Sequence, residues 1–399
     1  MDDVLIVGAG PAGAVAAIVL ARAGARVRLI DRSTFPRDKL CGDTLNPGTL
    51  AVLRRLGLAE TVERAGLEVE GMRITGEGGF DLTARYPGAL RGRAITRRRF
   101  DQTLVDAAVA AGVRFEPAVA AQAAAVDGDH LRGIVCSANG RRRELLARVT
   151  IAADGRHSTL AFGLGLARHP DQPRRWAVGA YFESPQPPAR VGEMHIRRGR
   201  YIGVAPLPSG LVNICVVRPW TPGAPALRDT ESLLRREIAA DPALRDRFTG
   251  ARLVAPPVVL GPLAVDAVTA EAVPEGLLIA GDAAGFVDPM TGDGLRFAVR
   301  GAEIAADAAL QALVHGWSGV PARHAALRAA EFSVKWRMNR GLRALVGSPL
   351  AVRLATAVAP MSRSVLRALV ARAGDCDVAE REARRLQRVE SLRGTEKVS

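Results

Sequence analysis

Val4-Leu5-Ile6-Val7 runs directly into Gly8-Ala9-Gly10-Pro11-Ala12-Gly13, and this stretch decides how the 399-residue chain is read. Four consecutive apolar residues fit a central parallel strand covered on both faces. Gly8 permits a tight turn, Gly10 lets the backbone approach a pyrophosphate, and Gly13 lets the next helix lie close to the strand. That helix, from Pro11 through Ala12 to about Ala23, aims N-terminal N–H groups at the phosphates. A second strand, Arg26 to Ile30, ends in Asp31-Arg32, at the distance where an acidic residue takes ribose hydroxyls. In this order the features specify a dinucleotide-binding βαβ unit rather than a chance glycine-rich turn.

Composition narrows the function classes. The length predicts two or three domains with ample core, and no apolar run reaches the roughly 18 residues of a membrane-spanning helix. The first strand begins at about residue 3, so no removable leader is expected. Cys41, Cys136, Cys215 and Cys376 form no CxxC pair, so neither zinc nor disulfides are expected, and a reducing cytoplasm is. The formal net charge is +14, almost all of it arginine, since Lys39, Lys335 and Lys397 are the only lysines. Arg97-Arg98-Arg99 and Arg141-Arg142-Arg143 lack interleaved aromatics, and no nucleic-acid partner is predicted. The histidines show no metal-ligand spacing; His195, on a predicted strand, is a candidate pocket acid or base.

Along the chain, helices are predicted from Pro47 to Leu56 and from Phe100 to Ala111, with a strand at Val113–Pro117. A meander follows, turning at Asn139-Gly140, a two-residue hairpin signal. It returns to the core strand Val149 to Ala153. From about 170 to 265 the pattern becomes alternating apolar runs broken by Pro and Gly, which reads as an antiparallel sheet. Leu277 to Ala280 reads as another core strand, followed by a long helix from about Gly294 to Leu313. No second GxGxxG occurs, so one dinucleotide has a dedicated site and any nicotinamide donor must visit without a Rossmann domain of its own.

Ala153-Asp154-Gly155-Arg156-His157-Ser158 follows one core strand and Gly281-Asp282-Ala283-Ala284-Gly285 another. With the opening fingerprint, these stretches resemble the three-part signature of the para-hydroxybenzoate hydroxylase superfamily of FAD enzymes. Phe35-Pro36-Arg37-Asp38-Lys39-Leu40-Cys41-Gly42-Asp43 is similar to the signature of its geranylgeranyl reductase family. The resemblance implies an α/β fold: a Rossmann-like FAD-binding domain with a parallel sheet, an antiparallel-sheet substrate domain and a helical C-terminal region. The expected boundaries are 1–68, 96–168 and 266–340 for FAD, 69–95 and 169–265 for substrate, and 341–399 for the tail. It implies FAD as cofactor and NAD(P)H as a transient electron donor. Asp282 would accept from a ribityl hydroxyl after Gly281, and Pro289, Gly292, Gly294 and Leu295 would lie against the isoalloxazine. Arg97 stands where such enzymes place an arginine on FAD; a solvated charge at a helix start is the other reading. Relatives often carry an arginine shortly after Ser158, and Thr159 to Phe162 has none.

On the reacting side, Cys41 is a proton donor, a pocket-lining group or a small buried hydrophobe, with Asp43 beside it in the pocket. The family's Tyr-x-Trp-x-Phe-Pro stretch corresponds to Tyr201-Ile202-Gly203-Val204-Ala205-Pro206, in which two large aromatics are replaced by Gly203 and Ala205. Burying one aromatic is worth roughly 1.5–3 kcal/mol, so their loss opens the pocket to a bulkier or flatter lipophilic substrate. The same change removes the halogenase Trp-x-Trp-x-Ile-Pro signature, and no lysine lies between Lys39 and Lys335. Two reactions are expected, in this order: NAD(P)H- and O2-dependent hydroxylation of an aromatic or polyketide-like molecule, and saturation of an isoprenoid or enone C=C bond. In the second, Cys41 or Tyr201 would supply the proton; a non-catalytic flavoprotein is the remaining alternative. In the tail, Leu350, Leu354, Val358, Leu366, Leu369 and Val370 give apolar faces, and Arg353, Arg363, Arg367 and Arg372 a basic side. A packed lid is expected, or a dock on the inner membrane face for collecting a lipophilic substrate.

Overall fold

The computed structural model describes residues 2–40, 43–171, 175–184, 186, 189–219, 227–267, 272–348, 351 and 363–396. Two seven-stranded sheets organise them. The first begins with Asp2–Val7, which pairs in parallel with Val27–Ile30 on one side and with Arg141–Ala152 on the other. Arg114–Glu116 extends it beyond Val27–Ile30. Arg141–Ala152 serves two partnerships at once. Its final residues pair with the opening strand and with Leu277–Ile279, both in parallel. Its first residues turn back antiparallel onto His130–Ala138 through Asn139 and Gly140, with Val119–Asp127 as the edge. Parallel strands need crossovers, and the helices Pro11–Arg22, Arg97–Ala110 and Gly294–His315 supply the apolar surface that covers them. The small residues of Pro11–Arg22 are buried almost throughout, which lets this helix pack against Gly294–His315.

The second sheet runs Val258–Leu260, Arg175–Glu183, Leu211–Pro219, Arg200–Pro206, Gly192–Arg197, Gly71–Thr75, Asp81–Arg85. Only the pair Gly192–Arg197 with Gly71–Thr75 is parallel. Period-2 alternation gives this sheet two distinct faces. Val178, Ala180, Ile202, Val204, Ile214 and Val216 pack on Leu233, Leu234 and Ile238 of the helix Thr230–Ala240. Nothing in the strand pattern announces that helix; Asp229 caps it by accepting from Ser232 N at 3.1 Å. The opposite face carries Ala177, Met194, Tyr201 and Val217, packed with Phe286 and Met290 of the first body. The architecture is thus the α/β arrangement with parallel and antiparallel sheets and C-terminal helices that the sequence predicts.

The tail is docked rather than loose. Val370 and Cys376 are buried with Tyr86 and Val69, and the turn at Asp375 is held by an ion cluster. Lys335 Nζ lies 2.9 Å from Asp375 and also pairs with Asp293, while Arg296 Nε is 3.3 Å from Asp375. Asn46 donates to Ala373 O at 2.9 Å. The packed-lid reading fits these contacts. Leu350, Arg353, Leu354 and Val358 fall outside the described residues. No helix among the described residues is long and apolar enough to cross a membrane.

Candidate active site

Three separated stretches of chain meet along one open, elongated cleft. Gly8, Gly10, Pro11 and Ala12 border it at the first strand's carboxyl end, where ligands of doubly wound sheets collect. Asp31 ends the neighbouring strand. Ala153, Asp154 and Gly155 come from the second stretch, and Gly281, Asp282, Pro289, Gly292, Gly294 and Leu295 from the third. Gly13 lies behind the cleft. A Cβ on Gly13 would stand 1.8 Å from Gly8 O, so only glycine lets the helix approach. Gly8 itself sits at φ +99°, and a Cβ there would fall 2.6 Å from Ala153 O.

The carboxylates differ in what they already hold. Asp31 accepts from Ala9 N and Ser33 N, each at 2.8 Å, which fixes the strand end against the glycine turn. Asp154 accepts from Thr159 N at 2.8 Å through Oδ2, while its buried Oδ1 has no hydrogen-bond partner among the described residues. Burial pushes the Asp154 carboxyl above its ordinary range, against hydrogen bonds from Ser158 and Thr159 N. An unpartnered buried oxygen suits a hydroxyl-bearing ligand. Arg97 is buried and clamps Asp101 bidentately, with Nε and Nη2 each at 2.8 Å. The solvated reading of Arg97 is therefore corrected: its side chain forms part of the cleft wall.

Arg37 and Lys39 also line the cleft, and no expectation singled them out. Arg37 Nη2 reaches 3.2 Å from Asp101 and 3.9 Å from Asp31, and stands over Gly10. Their signal was present in the Phe35–Asp43 loop, which carries both cations close together. Arg32 behaves otherwise. Asp31 turns inward to meet Ala9 N, so alternation turns the next side chain outward, and Arg32 is exposed outside the cleft. The cleft thus offers glycine backbone, cations and a hydroxyl-accepting carboxylate along one elongated path, which fits FAD.

Comparison with known proteins agrees. A family model described as FAD binding domain matches residues 1–327. The chain belongs to this FAD-binding family. It is 34% identical over 319 residues to a menaquinone reductase of Mycobacterium tuberculosis, covering 76% of each chain. It is 27% identical over 323 residues to a digeranylgeranylglycerophospholipid reductase of Methanosarcina acetivorans, covering 79% of this chain and 76% of the relative. A geranylgeranyl bacteriochlorophyll reductase-like protein of Thermoplasma acidophilum shares the fold at a TM-score of 0.76 and 20% identity, over 96% and 95% of the two chains. The halogenase CndH shares it at 0.78 and 21%, over 84% and 81%. The protein is an FAD-dependent oxidoreductase.

The face of the second sheet turned toward this site has unusual contents. Gly203 lies between Met194 and Cys215 in register, and Gly179 lies beyond Cys215. A Cβ on Gly203 would meet nothing within 4 Å, so the position borders open space. Ala205 shares that face, whereas alternation puts Pro206 on the other, correcting its expected place in the pocket. Leu40 packs against Gly179. Cys41 and Gly42, the next residues, lie outside the described ones.

Asp43 and Tyr201 occupy the junction between the two bodies. Asp43 is 1% exposed and accepts from Arg97 N at 3.0 Å, Tyr181 OH at 3.3 Å and Asn213 Nδ2. Burial raises its carboxyl to about 7, against the pull of these donors and of the Arg97 charge. Tyr201 donates to Asp288 Oδ1 at 2.5 Å, and Arg175 Nη1 stands 3.3 Å from the same carboxylate. Burial and Asp288 push the phenol well above its ordinary value, so Tyr201 keeps its proton and does not line the cleft. It ties the substrate sheet to the turn before Pro289. His195 is likewise removed from the pocket. It lies on the helix-covered face, with Nδ1 2.8 Å from Thr75 Oγ1 and Nε2 3.4 Å from Glu193.

Proposed function

We propose that this protein saturates a carbon–carbon double bond in a bulky lipophilic isoprenoid, with prenylated quinones as the best-matched class. The observation that carries this reading is the open floor at Gly203, flanked by Cys215, Gly179 and Ala205, on a face turned toward the cofactor cleft. A flat ring or branched chain can lie on such a floor, where a large side chain would exclude it. Two relatives named as reductases of menaquinone and of a digeranylgeranyl lipid favour reduction over hydroxylation.

Bound FAD supplies the hydride, with NAD(P)H as the proposed transient donor. The chain's contribution is then positional and protonic. Gly8 to Gly13, Asp31, Asp154 and Asp282 would hold the cofactor along its length, with Arg37, Lys39 and Arg97 matching its phosphates. The N-terminus of Gly294–His315 would favour negative charge on a ring bound beside it. Asp43 stores the proton that must follow the hydride, because a buried carboxyl raised to about 7 is protonated in mildly acidic solution. Tyr181 and Asn213 orient it from the substrate sheet.

The test is product mass after anaerobic turnover of the FAD-loaded protein with a prenylated naphthoquinone. The proposal expects a gain of two hydrogens that survives reoxidation in air, because a saturated chain does not reoxidise as a quinol does. No product anaerobically, but a gain of one oxygen with O2 consumption in a parallel aerobic run, would instead establish the hydroxylase.

A further inference from the structure

A second, partly open pocket, with about 450 Å³ of empty space when the solvent at its mouth is counted, shares the Gly281–Gly285 segment with the cofactor cleft. Gly281 and Asp282 border the cleft, while Ala284 borders this cavity. Its walls are otherwise apolar, with Leu166, Val273, Leu277 and Pro321 among them, apart from two polar side chains. These are His324 and Arg328, one turn apart on the helix Val320–Gly347.

Arg328 differs from the deeply buried arginines of this chain. Arg97 faces Asp101, Arg175 faces Asp288, and Arg296 faces Glu331 and Asp375. Arg328 pairs with no carboxylate among the described residues. One Nη2 donates to Ala284 O at 2.7 Å, and the guanidinium lies 5.7 Å from the Trp336 ring centre. Burial lowers Arg328 to about 10, so it stays cationic at neutral pH. His324 is 7% exposed, and its Nε2 has no hydrogen-bond partner among the described residues. Burial lowers its ring to about 3, which leaves the imidazole neutral. A cation in an apolar cavity without a counter-charge, beside an unpaired ring nitrogen, is costly unless an anion joins them.

We propose that this cavity is a second ligand site that takes an amphiphilic monocarboxylate, its head on Arg328 and its hydrocarbon body against the apolar wall. One guanidinium matches one planar carboxylate in charge and in fork geometry. The wall supplies burial for a chain or small ring, as phosphate or chloride would not require. Because Arg328 also holds Ala284 O, a carboxylate on the guanidinium acts on the segment that borders the cofactor cleft.

Octanoate is the probe, titrated calorimetrically into the FAD-loaded protein. Saturable one-to-one binding is expected, weakened at least tenfold by Arg328→Met and by Ala325→Leu, which fills the wall without touching the cation. Octanol should bind at least tenfold more weakly than octanoate, and Gly203→Trp should leave octanoate binding unchanged. No saturable binding at millimolar octanoate would overturn the proposal. So would octanoate binding that survives both Arg328→Met and Ala325→Leu, or that is lost in Gly203→Trp, which would assign the ligand to the substrate face.

Discussion

Gly13 and Gly203 are required for opposite reasons. A side chain at Gly13 would strike Gly8 O at 1.8 Å, whereas one at Gly203 would meet nothing within 4 Å. The first glycine is dictated by the protein's own backbone and supports the cofactor cleft from behind. The second leaves a space that the protein does not fill, on the face where substrate is proposed to lie. Damage at the cleft should therefore cost folding and cofactor together, while damage at the sheet face should cost turnover alone.

Gly13→Ala should separate the two regions most sharply. Overpacking of this kind costs about 3 kcal/mol or more where a backbone contact cannot give. Urea unfolding should show the loss, and the purified protein should lack bound flavin. A variant as stable and as yellow as the parent would break the comparison. Gly203→Trp should do the reverse. Its melting temperature and flavin content should hold, while turnover of a prenylated quinone falls at least about tenfold. Equal turnover would remove the open floor from the account.

Asp43 couples the regions and adds a pH signature. Its folded-state value, about 7, lies above its ordinary 3.8. Between those values the folded protein holds a proton that the unfolded chain has lost, so stability falls as pH rises through this window and levels off above it. The contribution is at most roughly 4 kcal/mol. Asp43→Asn should flatten that slope in urea titrations run from pH 4 to pH 8, and should also remove an activity inflection near pH 7. A slope unchanged in the variant would assign it to other groups. Tyr201→Phe should cost about 1–3 kcal/mol by removing one of the buried donors to Asp288, with the activity inflection unmoved. Arg32→Ala should change FAD affinity by no more than about twofold, as expected of an exposed side chain. A larger loss would bring Arg32 back to the cofactor.

Much of the cleft was legible in the sequence because its grammar is local. Gly8, Gly10 and Gly13 follow a strand directly, and Asp31, Asp154 and Asp282 each sit at a strand end. Arg37 and Lys39 were harder to read, since their place in the cleft depends on how an irregular loop folds back. The sheet face was legible only in part. The sequence suggested space at Gly203, but Gly179 and Cys215 join it through cross-strand register that no local pattern encodes. The tie from Tyr201 to Asp288, 87 residues further along the chain, is likewise invisible to a local pattern. Pro206 was misplaced by a single step of strand alternation.

The structure of the FAD complex tests the central claim most directly. The account predicts one flavin along the cleft, with its ribose end at Asp31, its ribityl chain by Asp282 and its ring over Gly292–Leu295, facing Gly203. FAD bound elsewhere, or a ring turned away from the Gly203 face, would contradict it.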